Sequence, residues 1–189
     1  MMMGSTLMDF DNYVQSHLEI LNSLDKVQLS KVISLLETLY KNKSTIWIAG
    51  NGGSATSASH VSVDFTKTAR TEEGSLRAIA LSDLIALNTA YSNDVSFEKN
   101  YELSIQELAK PGDALMIISV SGLSTNLVNL FDAAKKIKLK TISLVGERGQ
   151  KLFEESDAGI VVGSDDYQIV ENIHLLLIHW FTKVLARGN

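Results

Sequence analysis

The sequence predicts an α/β fold: a doubly wound, five-stranded parallel sheet flanked by helices. Three observations carry this expectation. Five short apolar runs recur from residue 45 onward, with lengths that suit buried parallel strands. Stretches of helical spacing separate them and can serve as crossover connections. No internal repeat or linker interrupts the chain, so residues 1–189 read as one domain.

The elements follow in order. Residues 8–41 read as helical, because Phe10, Tyr13, Val14, Leu18, Leu21 and Leu24, and then Val32, Ile33, Leu36 and Leu39, recur at helical spacing. A break near Asp25 divides them into two helices that extend the domain at its amino-terminal end. They precede every strand, so their apolar stripes must be buried on the later sheet or on another subunit. The strands are expected at Thr45–Ala49, Leu76–Leu81, Ala114–Ser119, Thr141–Val145 and Gly159–Val162. Pro111, Gly112 and Asp113 form a turn before the third strand. Residues 167–186 form a closing helix.

Composition excludes several classes. Of 189 residues, 45% are hydrophobic and 21% charged, with a single Pro, which rules out disordered and collagen-like chains. The net charge of −5 leaves no basic surplus for non-specific nucleic-acid binding. The absence of Cys removes disulfides, thiolate metal sites and cysteine nucleophiles together. No apolar run approaches the roughly 20 residues that span a bilayer. The opening MMMGSTLMDFDNYV lacks the basic-then-apolar order of a secretory leader. A cytoplasmic protein without membrane or nucleic-acid partners is therefore expected.

In open α/β sheets, ligands bind beyond the carboxyl ends of the strands. After the first strand comes Gly50-Asn51-Gly52-Gly53-Ser54, leading into a helix. Glycines allow close backbone approach, and a helix start offers free N–H groups to an anion. The plainer reading is a tight turn with Ser54 as N-cap. After the third strand, Ser119-Val120-Ser121-Gly122-Leu123-Ser124-Thr125-Asn126 gathers four hydroxyls around one glycine and again opens a helix. Capping needs only one of them, so this loop is favoured as an anion site. Two such loops on one sheet edge point to a small phosphorylated ligand. Asn93 and Asp94, after the second strand, can bond ligand hydroxyls, but such a pair more often makes a turn.

Four residues separate His60 from Asp64, which places both on one face of the helix after the first loop. Glu171, His174 and His179 lie on a closing helix that is apolar nearly all round, as at a subunit interface. An unpaired Glu171 would be costly there, so a partner is expected. His174 reads as a hydrogen-bonded core or interface residue.

The combination of GNGGSATSASH with SVSGLST resembles the SIS (sugar isomerase) phosphosugar-binding fold. GNGGS followed by His60 and Asp64, then SND and ENIHLLLIH, resembles the phosphoheptose isomerase family. The likeness runs from about residue 45 to the end. It implies an aldose–ketose isomerase that converts sedoheptulose 7-phosphate to D-glycero-D-manno-heptose 7-phosphate through an enediol. It also implies Asp64 and His179 as acid–base catalysts. The ligand contacts it implies are Asn51, Gly52, Gly53, Asn93, Asp94, Ser119, Val120, Ser121, Ser124 and Glu171. Zinc is implied on His60, Asp64, Glu171 and His179, and a homotetramer as the assembly. The alternative is a non-catalytic SIS protein, either phosphosugar-binding or associated with the DnaA initiator, and the same chemistry on another sugar phosphate is a third possibility.

Three positions depart from the family pattern: Asp64 stands for Glu, Glu171 for Gln and Val120 for Thr. Geometry adds one expectation. Glu171 and His179 are eight residues apart, or about 12 Å along a helix. Sharing one small ion would need a helix break or two chains, so an imidazole supplied across a protomer boundary is expected.

Overall fold

The computed structural model describes residues 3–72 and 74–187. Two helices open the chain, α1 (Met3–Ser23) and α2 (Lys26–Lys41). The break falls at Asp25, whose Oδ1 accepts the Val27 N–H at 2.7 Å and the Gln28 N–H at 3.4 Å. A carboxylate cap of this kind satisfies first-turn donors and starts a new helix. The five strands are β1 (Thr45–Ala49), β2 (Arg77–Ala80), β3 (Ala114–Ser119), β4 (Lys140–Gly146) and β5 (Ala158–Val162). Between and after them run α3 (Gly53–Val63), α4 (Ile85–Asp94), α5 (Asn100–Leu108), α6 (Thr125–Lys136), α7 (Gln150–Glu154) and α8 (Tyr167–Arg187).

All strand pairs are parallel, in the order β2-β1-β3-β4-β5. The order reverses between β1 and β3, which opens a crevice at their carboxyl ends. Alternation along the strands feeds two cores. Ile46, Ile48, Met116, Ile118, Ile142 and Leu144 meet α2, α3 and α8 on one face. Trp47, Leu115, Ile117 and Val145 meet α5 and α6 on the other. Asp113 pins β1 to the turn before β3, accepting from the Thr45 N–H at 2.9 Å and Trp47 Nε1–H at 3.2 Å.

The two opening helices divide their apolar residues. Val32, Leu36 and Leu39 of α2 are buried, and Leu21 and Leu24 pack against the same core. Phe10, Tyr13, Val14 and Leu18 of α1 stay exposed. One expectation is corrected. Tyr167–Ala186 of α8 is long and apolar enough, by length and composition, to cross a membrane, with a mean hydropathy of 1.3. Averaging over a window tolerates the scattered Glu171, His174, His179 and Lys183 that interrupt any single apolar run. Half of that window is buried inside the fold, as in a core helix.

Candidate active site

The two loops lie side by side at the β1/β3 crevice. In the first, Gly52 takes φ 55° and caps α3 through its backbone. A side chain is strained in that region, so Gly52 makes the turn possible. Ser54 is therefore not the N-cap; it lies buried in the first turn of α3. Asn51 reaches across the crevice to Asn126. Their amides exchange two hydrogen bonds, Asn51 Nδ2 to Asn126 Oδ1 at 2.9 Å and Asn126 Nδ2 to Asn51 Oδ1 at 3.0 Å. From below, the buried Tyr101 hydroxyl donates to Gly50 O at 3.3 Å. Burial, reinforced by Asp83, holds that phenol above its usual range. Tyr101 is not among the residues singled out from sequence, and Asn126 enters there only as the end of the second loop, because no local pattern links them to Gly50 and Asn51.

In the second loop, Gly122 takes φ 62°, and a Cβ there would meet Gly149 Cα at 2.5 Å. Ser119 Oγ accepts the Gly122 N–H at 3.0 Å, and Ser121 Oγ accepts the Leu123 N–H at 3.2 Å. These two hydroxyls order the loop itself. Val120 is buried, and its carbonyl accepts the Gly146 N–H at 3.0 Å. Ser124 is the N-cap residue of α6, but its side chain makes no capping bond. The start of α6 therefore presents a hydroxyl and first-turn N–H groups to the crevice.

Glu171 settles against the first loop. Its carboxylate lies so close to Gly53 that a Cβ there would sit 2.5 Å from Oε1. This places the charge beside the start of α3, where the positive end of the helix dipole favours an anion. Asn93 and Asp94 are not in a turn but end α4, with Asn93 Nδ2 donating to Asp94 Oδ1 at 2.8 Å. Among the described residues, no hydrogen bond ties that pair to either loop.

His60, Asp64 and His179 converge lower on α3. His179 Nε2 lies 3.0 Å from His60 Nε2 and 3.8 Å from Asp64 Oδ2, and His60 Nε2 lies 3.5 Å from the same oxygen. The imidazoles meet edge to face, with centroids 4.9 Å apart. Asp64 opens a π-helical turn, Asp64–Thr68, closed by the Ala69 N–H donating to Asp64 O at 2.8 Å. Such widened turns recur at functional sites. Thr68 Oγ1 donates to Asp64 Oδ1 at 3.2 Å, orienting the carboxylate. Asp64 is thus within reach of both imidazoles despite being one methylene shorter than Glu.

Two expectations change here. Asp64 and His179 meet within one chain, so no protomer boundary separates this acid from this imidazole. α8 is unbroken, and the eight-residue spacing sends Glu171 to Gly53 and His179 to the triad. His60, Asp64 and His179 offer donor atoms within 4.8 Å of one another. Two imidazole nitrogens and a carboxylate oxygen are a fitting donor set for zinc.

His174 lies in the core, fully buried. Its ring faces the Val145 backbone, yet neither nitrogen has a well-formed hydrogen bond. Burial outweighs that backbone contact and lowers its pKa from 6.5 to about 4, so the ring is neutral.

Residues 9–146 match the SIS domain model. The chain is 37% identical over 167 residues to a phosphoheptose isomerase of Helicobacter pylori (strain P12), covering 88% of this chain and 86% of that protein. It is 37% identical to a phosphoheptose isomerase of Aliarcobacter butzleri (strain RM4018), covering 79% of each. The structure of phosphoheptose isomerase from Neisseria gonorrhoeae superposes with a TM-score of 0.86 at 25% identity, covering 98% of both chains. A phosphoheptose isomerase structure from Francisella tularensis shares the fold, with a TM-score of 0.89 at 24% identity and full coverage of both. Paired loops at the sheet's switch point, a carboxylate touching an imidazole, and likeness along nearly the whole chain agree: this chain belongs to the SIS-domain phosphoheptose isomerase family.

Proposed function

We propose that this single-domain chain is a cytoplasmic isomerase that interconverts sedoheptulose 7-phosphate and D-glycero-D-manno-heptose 7-phosphate. The observation that carries the reading is the contact of Asp64 with His179. An aldose–ketose isomerase needs two such groups. From the ketose, one takes a proton from C1 as the C1–C2 double bond forms, and O2 gains a proton. The enediol then receives a proton at C2 while O1 gives one up. The carboxylate and the imidazole divide the carbon and oxygen transfers between them.

The phosphate belongs on Ser119–Ser124. The start of α3 already carries the Glu171 carboxylate, and a second anion there would be repelled. The start of α6 carries no acid, and Ser124 is free to bond a phosphate oxygen. Asn51, Gly52, Gly53, Asn93, Asp94 and Glu171 are left for the sugar's hydroxyls. His60, Asp64 and His179 would hold zinc, and Glu171, the further ligand the family resemblance implies, would have to come from a second copy because α8 is unbroken. A bound zinc would polarise the carbonyl and acidify the adjacent C–H.

His60 and Asp64 lie seven and eleven residues beyond Gly53, about 10 and 16 Å down α3. That offset supports a homo-oligomer, a tetramer by family likeness, in which one copy's triad faces another copy's loops. The exposed stripe of Phe10, Val14 and Leu18 on α1 supports it too. So does a groove of about 470 Å³ on α8 that includes Leu176, His179 and Trp180. Exposed apolar surface of this kind favours burial by a second copy.

Incubating the purified protein with sedoheptulose 7-phosphate should yield a heptose 7-phosphate. Tight binding without turnover would overturn the reading in favour of a non-catalytic phosphosugar-binding protein, an alternative that the retained acid–imidazole pair argues against. Ser121→Ala should raise KM about tenfold or more while kcat changes little, because a loop that loses one hydroxyl and its Leu123 cap holds phosphate less well. Unchanged affinity would displace the phosphate from this loop.

A further inference from the structure

A cleft lined by cationic side chains lies at the opposite end of the sheet. Where α2 ends and β1 and β2 begin, a cleft of about 500 Å³ is lined by Tyr40, Lys41, Lys43, Gly74, Ser75 and Arg77. Its size is that of a small-molecule site. Among the described residues that line it, Lys41, Lys43 and Arg77 are cations, in a chain whose net charge is −5. Glu72 sits on the adjoining turn but does not line the cleft.

None of the three cations belongs to an ion pair among the described residues. Lys41 has one plain role, at the negative end of the α2 dipole. That role does not account for Lys43 or Arg77. Gathering three like charges around one cleft costs energy, and an anion between them reverses the sign.

The frame of the cleft is held in place. Lys43 sits at φ 55° just past α2. The Lys43 N–H donates to Tyr40 O at 3.1 Å, and the Ser44 N–H donates to Leu39 O at 3.0 Å. Arg77 Nη1 donates to Lys43 O at 3.5 Å, which draws the guanidinium toward the same turn. Gly74, at φ 129° with nothing within reach of a Cβ, leaves the far wall open. Ser75 adds a hydroxyl, and the Tyr40 ring offers a flat surface to an organic group. A guanidinium with two ammonium groups suits phosphate oxygens.

We propose that this cleft binds a phosphorylated small molecule through its phosphate or diphosphate group, at a site separate from the isomerase centre. The proposal does not depend on the isomerase reading. The test is calorimetric titration of the full chain with inorganic pyrophosphate. Ser121→Asp places a repelling carboxylate in the other phosphate loop, and one pyrophosphate per chain should still bind. The double variant Lys41→Ala/Arg77→Ala should weaken that binding at least about tenfold, and Lys43→Glu should do the same. All three positions are exposed, and circular dichroism checks that the variants remain folded. Failure of the wild-type chain to bind, loss of all binding in Ser121→Asp, or unchanged affinity in both cation variants would each overturn the proposal.

Discussion

His179→Ala and Asp64→Ala should each lower kcat on sedoheptulose 7-phosphate by about a hundredfold to ten-thousandfold, the span typical of a lost general acid or base. The structure gives this expectation its sharpness. Asp64 Oδ2 lies 3.8 Å from His179 Nε2 and 3.5 Å from His60 Nε2, so each variant removes one member of a contacting set. The His179 side chain is 49% exposed, and alanine there leaves no cavity in the core. Assembly and secondary structure should therefore survive, as read by sedimentation and circular dichroism. Asp64→Asn separates charge from shape: it keeps the side-chain volume and should lose nearly as much rate as alanine. Because the two groups act together, the double variant should cost little more than the worse single variant. A single variant with near-normal kcat would remove that residue from the mechanism.

The second large effect concerns folding in mild acid. The unfolded chain protonates His174 near pH 6.5, whereas the folded chain resists until about pH 4 because the ring is buried. Between those values the unfolded state binds the extra proton, so stability falls as pH falls. It is complete above about pH 6.5 and levels off near pH 4. At about 1.4 kcal/mol per pH unit, the window is worth about 3 kcal/mol. Urea unfolding at several values from pH 7.5 to pH 4.5 measures the slope. His174→Leu should flatten it while leaving stability at pH 7.5 unchanged or higher, since two buried ring nitrogens without a well-formed hydrogen bond are replaced by apolar surface. Asp157, held below the usual carboxylate range against the cost of its burial by Lys140 and Thr141, loses its contribution only at still lower pH. An equally steep slope in His174→Leu would assign the acid sensitivity elsewhere.

How much of this was legible in the sequence differs by element. The strands were, because a parallel strand buried on both faces must be apolar without interruption, and Thr45–Ala49 and Ala114–Ser119 match residue for residue. The second strand is shorter than expected, since Leu81 opens a single 3₁₀ turn, Leu81–Asp83. The helix break at Asp25 was legible because capping is local. Ser54 misled for a related reason: it has capping chemistry, but the positive φ of Gly52 moves the helix start ahead of it. Asn93 and Asp94 have turn chemistry, yet the chain continues as helix through both.

The sequence by itself determined the α/β layering, the two loops at the switch point, and the pairing of His60 with Asp64 on one helix face. Each follows from interactions between residues close in the chain or from an unbroken apolar pattern. Only the tertiary structure decided that His179, 119 residues beyond His60, joins that pair within one protomer. Only it placed Glu171 on Gly53, Asn51 on Asn126 and Tyr101 under Gly50. Such contacts depend on how α3, α5, α6 and α8 pack on the sheet, and packing is set by the sum of many weak apolar contacts that no local spacing records.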